Sequence, residues 1–435
     1  YGSKFADNSR MYQADAQYNL ASKLEFAEIL LGASVRMFDL RSNGTIFADT
    51  PDNPITILEY GGFIQAGKSI LNEKLKLLAS LRYDKNENFK GQMSPRLSAV
   101  LKPRKDHNIR LSFQTGFRNP TTQGQHIDLN VVSARLIGGL DYYKDKYNIL
   151  ENAYSALSVG SFIAKVAESG DPLQIGNPDV LNILEKVEEI EEVKPEQVTS
   201  FEVGYKSLIN KSLMIDLAVY YNIYNDFITQ TQVRKAGGEI TTEGLSTDPV
   251  SPDYWVNHPL TTQNIENAQQ LLTPVSTPGE ENTFATYTNF HKQVTAGGLA
   301  LGVGYHLGKG FLFNGNYSWN RLIEGLSSDY LNDFNTPEHK FNIGISNRKI
   351  FNSFGFNIVY RWQEAFRWEA GFGRGDVPAI GTLDAQVSYK LAKVRSRIKF
   401  GGSNILNSRY VLNYGGPTLG AIYYVTITFD QLLNR

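Results

Sequence analysis

The chain contains no cysteine. A disulfide framework, a zinc–thiolate site and a cysteine nucleophile are therefore excluded. No run of eighteen or more apolar residues occurs, which excludes helical membrane spans. Neither sign of charge is in excess. Lys and Arg number 43 against 44 Asp and Glu, for a net charge of −1, so nothing in the composition invites a nucleic acid. Only 41% of residues are hydrophobic, and the mean hydropathy of −0.30 is that of a soluble protein. A secretory leader is also missing from the start, where Tyr1-Gly2-Ser3-Lys4 runs straight into polar sequence.

Aromatics are plentiful, with 24 Tyr and 24 Phe in 435 residues. That length suits two or three soluble domains or one very large β-architecture. The residues alternate in a way that favours the second. From Met214 to Tyr224, residues Ile215, Leu217, Val219, Tyr221 and Ile223 fall on one face. Asp216, Ala218, Tyr220, Asn222 and Tyr224 fall on the other. The same period of two runs through Ile109–Arg118 and Lys74–Asp84, with Arg, Lys and Asp recurring on the second face. Roughly ten tilted residues of this kind span a bilayer core. A soluble sandwich alternates too, so period alone does not decide.

The connections do decide. Alternation predicts strands near 11–21, 26–40, 56–70, 73–84, 92–103, 107–118, 196–208, 212–228, 286–307, 310–320, 338–348, 353–362, 379–391, 395–405 and 420–430. Between them, short turns such as Leu71-Asn72-Glu73, Ile209-Asn210-Lys211 and Gly308-Lys309 alternate with longer segments. The longest are Asn119–Pro195 and Thr229–Ala285. Soluble domains have no reason to sort connection length by parity. Outer-membrane barrels do, with periplasmic turns and extracellular loops. The expected fold class is thus all-β, a transmembrane antiparallel barrel. On this reading the last strand runs down to a periplasmic C-terminus.

Within the longest loops, Ala153–Ala167 and Pro178–Val187 read as short helices, the second opened by proline. Glu185–Glu192 reads as a solvated helix end, and Thr229–Ala285 as an irregular exposed loop. Fifteen strands is an odd count, whereas single-chain bacterial barrels close with an even one. An open sheet in lipid would leave backbone groups unpaired at several kcal/mol each. The expectation is that residues 1–435 are the C-terminal portion of a larger barrel.

Several segments resemble the TonB-dependent outer-membrane receptors, with a Bacteroidota-like flavour. They are Ser94-Pro95-Arg96-Leu97-Ser98 with Ile109–Arg118-Asn119-Pro120, then Lys194-Pro195-Glu196 with Phe201-Glu202-Val203-Gly204-Tyr205-Lys206. Asn225-Asp226-Phe227-Ile228, Asn335-Thr336-Pro337-Glu338-His339 and Gly402-Ser403-Asn404-Ile405-Leu406-Asn407 complete the set. The resemblance covers essentially the whole chain. It implies a barrel of about 22 strands around an N-terminal plug, leaving about seven strands, the plug and the TonB box outside this chain. It further implies active import of a glycan, peptide or metal chelate. The implied partners are outer-membrane lipid, TonB through the missing N-terminal region, the missing plug and N-terminal strands, and a surface lipoprotein. By the same resemblance the Asn119–Pro195 loop would act as a lid or hinge. A structural or docking barrel and a passive porin are the alternatives.

No catalytic motif is present, so an enzyme is not expected. The histidines (His107, His126, His258, His291, His306, His339) are scattered without ligand spacing, and ordinary polar roles are favoured. Ser328-Asp329 with Asn332-Asp333 could offer oxygens to Ca²⁺, but a solvated acidic loop is the better reading. Gly371–Gly375 resembles a phosphate loop but opens no helix, and reads as a mobile loop. No cofactor or metal is expected. The candidate ligand-binding residues are aromatic and basic, in or beside extracellular segments: Tyr254, Trp255, Arg361, Trp362, Arg367, Trp368 and Arg374. The competing reading places Trp362 and its neighbours in the outer aromatic girdle.

Overall fold

Alternating apolar residues and tight turns give one fifteen-stranded antiparallel sheet, in which each strand pairs with its neighbours in chain order. The computed structural model describes residues 5–21, 23–24, 26–131, 133–275, 277–325, 334–351, 353–370 and 373–429. The strands are Arg10–Asn19, Glu28–Leu40, Ile55–Ile70, Leu75–Asn86, Gln92–Arg104, His107–Arg118, Glu196–Ile209 and Leu213–Asn225. They continue with Val294–Gly308, Phe311–Glu324, His339–Asn347, Phe354–Gln363, Ile380–Leu391, Ser396–Ser403 and Ile422–Phe429. Arg10–Asn19 and Ile422–Phe429 are the two edges, and they do not pair with each other. The sheet is an open barrel wall.

Short connections are tight because their residues accept positive φ. Asn210 and Lys211 have φ of 49° and 58°, the geometry of a two-residue hairpin turn whose twist matches the strands. Two predicted strands are broken at the long-loop end. Asp226, with φ of 50°, separates Leu213–Asn225 from Phe227–Lys235. Residues 291–293 likewise separate Thr283–Phe290 from Val294–Gly308. The hairpin therefore bends out of the wall and continues as a second hairpin.

The two faces of the sheet are opposite to those of a soluble protein. Leu31, Val35, Leu58, Ile64, Leu77, Leu81, Leu97, Leu111, Phe201, Val203, Ile343, Ile358, Val387, Phe400 and Val425 are all exposed on one face. Leaving such a side chain in water rather than burying it costs about 1.5–3 kcal/mol each. A hydrocarbon surrounding removes that cost. The other face carries Arg36, Glu59, Arg82, Asp84, Arg110 and Asp216, joined as ion pairs.

The buried core lies mainly in the long loops. Thr229–Ala285 is not the irregular loop its composition suggests. It contributes strand Phe227–Lys235, helix Pro259–Gln269 and strand Thr283–Phe290. These join Asp128–Val131, Ala134–Ile137 and Ala153–Ser155 from the other long loop in one five-stranded sheet. Ile137, Tyr143, Ile149, Ala153, Val233 and Phe284 pack into a single cluster drawn from both loops. Phe162, Ile175, Val180, Leu181 and Ala268 form another. The two loops are thus one folded cap.

Helix Ala156–Ser169 confirms the first helix expected there. Ser155 accepts from the Ser158 N–H at its start, and Gly170, with φ of 66°, ends it. The second helix is only Pro178–Leu181. Glu185–Glu192 is extended rather than helical. Ser155 N–H donates to Glu185 O at 2.9 Å, and Val187 N–H donates to Ala153 O at 2.9 Å. Those bonds to a strand win over the helical propensity of the glutamates.

Candidate functional site

Where the polar face meets the cap lies a cavity of about 480 Å³. Gln13, Ser34, Arg36, Glu59, Arg82 and Asp84 come from the first four strands. Asn119, Thr122 and Gln125 come from the start of the first long loop. Strand register aligns the wall residues. Arg36 lies opposite Glu59, and their charged atoms are 3.5 Å apart. Arg82 makes two bonds to Asp84, of 2.6 and 2.5 Å, and a third to Ser34 at 3.2 Å. Glu59 also accepts from Asn86 at 2.9 Å and from Asn119 at 3.1 Å. Phe38 adds aromatic surface. The chemistry offered is that of neutralised charge pairs, amides and rings. It suits a polar ligand with several hydrogen-bonding groups better than a free ion.

Alternation in the sequence puts Arg, Lys and Asp on this face but singles out no site residue among them. The signal was available: Arg36, Arg82 and Asp84 share one strand face. Their convergence with Asn119 and Gln125 depends on a loop contact that alternation does not encode.

The cap above is stiffened by charge. Asp128, almost fully buried, accepts from Arg135 at 2.8 Å, Lys146 at 2.7 Å and Tyr147 at 2.8 Å. Arg135 also meets Glu281 at 2.5 Å, joining the two long loops. Burial works to lower the Arg135 pKa, but the charge and hydrogen bonds of Asp128 outweigh it and hold the value above the ordinary one. His126 lies at the cap's base. Its Nδ1 is 3.2 Å from the Tyr143 hydroxyl and its Nε2 is 3.3 Å from Asn88 Nδ2. Burial lowers its pKa to about 4, so the ring is neutral. An amide nitrogen only donates, so Nε2 accepts and Nδ1–H faces the tyrosine.

The predicted ligand residues fall into three places. Arg367, Trp368 and Arg374 share one hairpin, Phe366–Ala370 paired with Gly373–Val377. The described part of Gly371–Gly375 is therefore strand, where the sequence reads as a mobile loop. Arg367 pairs with Glu369 at 3.2 Å and Asp376 at 3.6 Å. A cleft of about 330 Å³ beside it is lined by Phe334, Thr336, Glu338, Glu364, Phe366, Arg367 and Glu369. Arg361 and Trp362 lie on the strand leading into the hairpin but point to opposite faces. Arg361 pairs with Asp384 at 2.8 Å, whereas Trp362 stacks on Phe341 at 5.4 Å beside Tyr360. That places Trp362 with the apolar face, as the girdle reading expects. Tyr254 and Trp255 belong to the cap, and Trp255 is buried there with its carbonyl accepting from Thr261.

One residue that sequence reasoning missed completes the hairpin site. The Tyr414 ring lies flat against Gly375, where an added Cβ would fall 2.1 Å from it. The glycines serve as a platform for an aromatic ring. Among the described residues no cluster of His, Asp and Glu could hold a metal. Ser328, Asp329, Asn332 and Asp333 lie outside the described residues.

A family model described as TonB dependent receptor-like, beta-barrel, matches residues 2–405. No curated protein matches the chain. Among solved structures, a mutant ferric enterobactin receptor of Pseudomonas aeruginosa is 11% identical with a TM-score of 0.58, over 96% of this chain and 53% of that one. The siderophore receptor PirA of Acinetobacter baumannii is 11% identical with a TM-score of 0.56, over 96% and 54%. The FrpB iron transporter of Neisseria meningitidis is 11% identical with a TM-score of 0.58, over 97% and 55%. The chain spans a little over half the length of these structures. At such identity they speak to the fold alone.

Proposed function

The chain belongs to the TonB-dependent receptor-like β-barrel family, and from that premise we propose that it is the C-terminal wall and external cap of an outer-membrane importer. The observation that carries the reading is the pairing of an apolar-out, polar-in sheet with a folded cap above a polar cavity. The short turns face the periplasm, the C-terminus ends there, and the cap faces outward. A nutrient enters beneath the cap and meets the wall at Arg36, Glu59, Arg82, Asp84, Asn119 and Gln125. Arg367, Trp368, Arg374 and Tyr414 on the neighbouring loops make first contact, with Arg361 below them. Tyr254 would contribute from the cap, where the buried Trp255 supports it, while Trp362 anchors the wall at the membrane boundary. Release into the periplasm requires a plug and TonB, both supplied from outside these residues. A surface lipoprotein would act by holding or releasing the cap.

The ligand class consistent with paired charges, amides and aromatic rings is a glycan, peptide or metal chelate. Structures that share the fold are named as siderophore receptors, so a metal chelate is the first candidate to test. The test is uptake of labelled candidates by cells producing the full-length protein, with and without TonB, and with the cap (residues 119–195 and 229–285) deleted. The reading expects uptake that needs TonB and is lost on cap deletion while the barrel still folds. Uptake indifferent to TonB would support the passive porin instead. No uptake of any candidate, with normal assembly of a surface complex, would support a docking barrel.

A further inference from the structure

Seven short connections close hairpins at one end of the sheet, and each carries an exposed lysine: Lys23, Lys74, Lys105, Lys211, Lys309, Lys349 and Lys393. The acids in the same segments are Glu25, Glu73 and Asp106. Among the described residues none of the seven lysines has a carboxylate partner, and Lys23 has only the Tyr18 ring, at 5.3 Å. On the polar face of the wall several cations are instead paired with carboxylates, as at Arg36, Arg82, Arg110, Arg118 and Arg361. The opposite end has the contrary sign, typified by the acidic run Glu185–Glu192.

Successive hairpin turns stand two strands apart, about 10 Å. That is close to the Debye length of about 8 Å at physiological salt. The rim is therefore a row of positive charges at a spacing that salt only partly screens. It also begins where the apolar face ends. Lys68 lies opposite Leu77 on that face, exposed and without an ion pair among the described residues. Leu77 and Leu101 are exposed on the same face. A lysine among lipid-facing leucines is tolerated only where its amine can reach the headgroups. Lys68 thus marks the phosphate level, and the turn lysines lie just beyond it.

We propose that the short-turn rim is a binding surface for anionic phospholipid headgroups of the adjoining leaflet, with the seven turn lysines as the contacts and Lys68 reaching the same level from the wall. The phosphates supply the counter-charge that the protein does not. The inference rests on the bilayer placement proposed above. The experiment reconstitutes the full-length protein in vesicles of phosphatidylethanolamine with a minority of phosphatidylglycerol. Insertion is checked by flotation, and lipid retained after gentle detergent extraction is counted by mass spectrometry. Wild-type protein should retain phosphatidylglycerol several-fold above its bulk share, falling as salt rises. Replacing the seven turn lysines by glutamine should return it to the bulk share, and replacing them by arginine should not. A protein that floats with no enrichment, or a glutamine variant that retains as much as wild type, overturns the rim alone. A wild-type protein that does not float overturns the bilayer reading and the rim together.

Discussion

Arg110 reaches Asp216 at 3.0 Å across the strand that lies between theirs, and Gly204 on that strand leaves the room for it. Gly204 is the register partner of Arg110. An added Cβ would lie 2.8 Å from the guanidinium Nε. Lys206, two residues on, meets the same aspartate at 3.0 Å. The Gly-Tyr-Lys run that reads as a family signature is thus a device for joining three strands through one carboxylate.

Gly204→Val should push the guanidinium aside and sever that pair, destabilising the wall by about 1–3 kcal/mol. In an Arg110→Ala background the same change should be close to neutral, because nothing then crosses the position. Thermal unfolding of the four proteins of this cycle is the measurement. Equal losses in both backgrounds would mean that the valine harms the strand for another reason.

Glu196 holds the cap to the wall. Its Oε2 accepts from Arg118 at 2.7 Å and from the Ile228 N–H at 3.0 Å, where the first cap strand begins. Glu196→Ala leaves that N–H buried and unpaired, at a cost of about 1–3 kcal/mol. Hydrogen exchange should quicken along Phe227–Lys235 while the amides of Glu28–Leu40 keep their protection. Uniform quickening along both strands, or none, would argue against a local latch.

His126 makes the cap sensitive to acid. Its pKa is lowered from 6.5 to about 4 by burial, so below 6.5 the unfolded segment binds a proton that the folded one refuses. Stability from the neutral ring is complete above pH 6.5 and is lost as pH falls toward 4. Protease cleavage within the cap should rise across that window in the wild type and much less in His126→Gln. Parallel profiles for the two proteins would remove His126 as the cause.

Tyr414 depends on Gly375 for its place. Gly375→Ala should displace the ring and weaken ligand capture at the hairpin, while the same change in Tyr414→Ala should add little. Ligand affinity in the four combinations would show it. A full effect of Gly375→Ala without the tyrosine would point to the hairpin backbone instead.

The barrel wall was legible because each strand's alternation and each turn's length are local properties. Met214–Tyr224 shows its two faces without any knowledge of its neighbours, since period two follows from backbone pleating. The cap was not legible for the converse reason. Ile137, Val233 and Phe284 share one cluster yet lie in separate loops, and the polar Thr229–Ala285 composition hides the helix and strands that the cluster supports. The glutamates of Glu185–Glu192 favour helix locally, but Ala153 and Ser155 capture them as extended chain.

The site divides along the same line. Arg361, Arg367, Trp368 and Arg374 were visible as types suited to binding, and the hairpin gathers three of them. That Trp362 turns to the apolar face while Arg361 turns inward follows from parity. Tyr414 on its glycine platform and the cavity at Arg36, Glu59 and Asn119 needed contacts between distant segments. The sequence by itself determined a polar-in, apolar-out antiparallel wall with turns at one end and loops at the other, because those are written in neighbouring residues. Only the tertiary structure decided that the two longest loops are one folded cap over a charged cavity. Burial between loops is a property of which surfaces meet, and no local pattern records it.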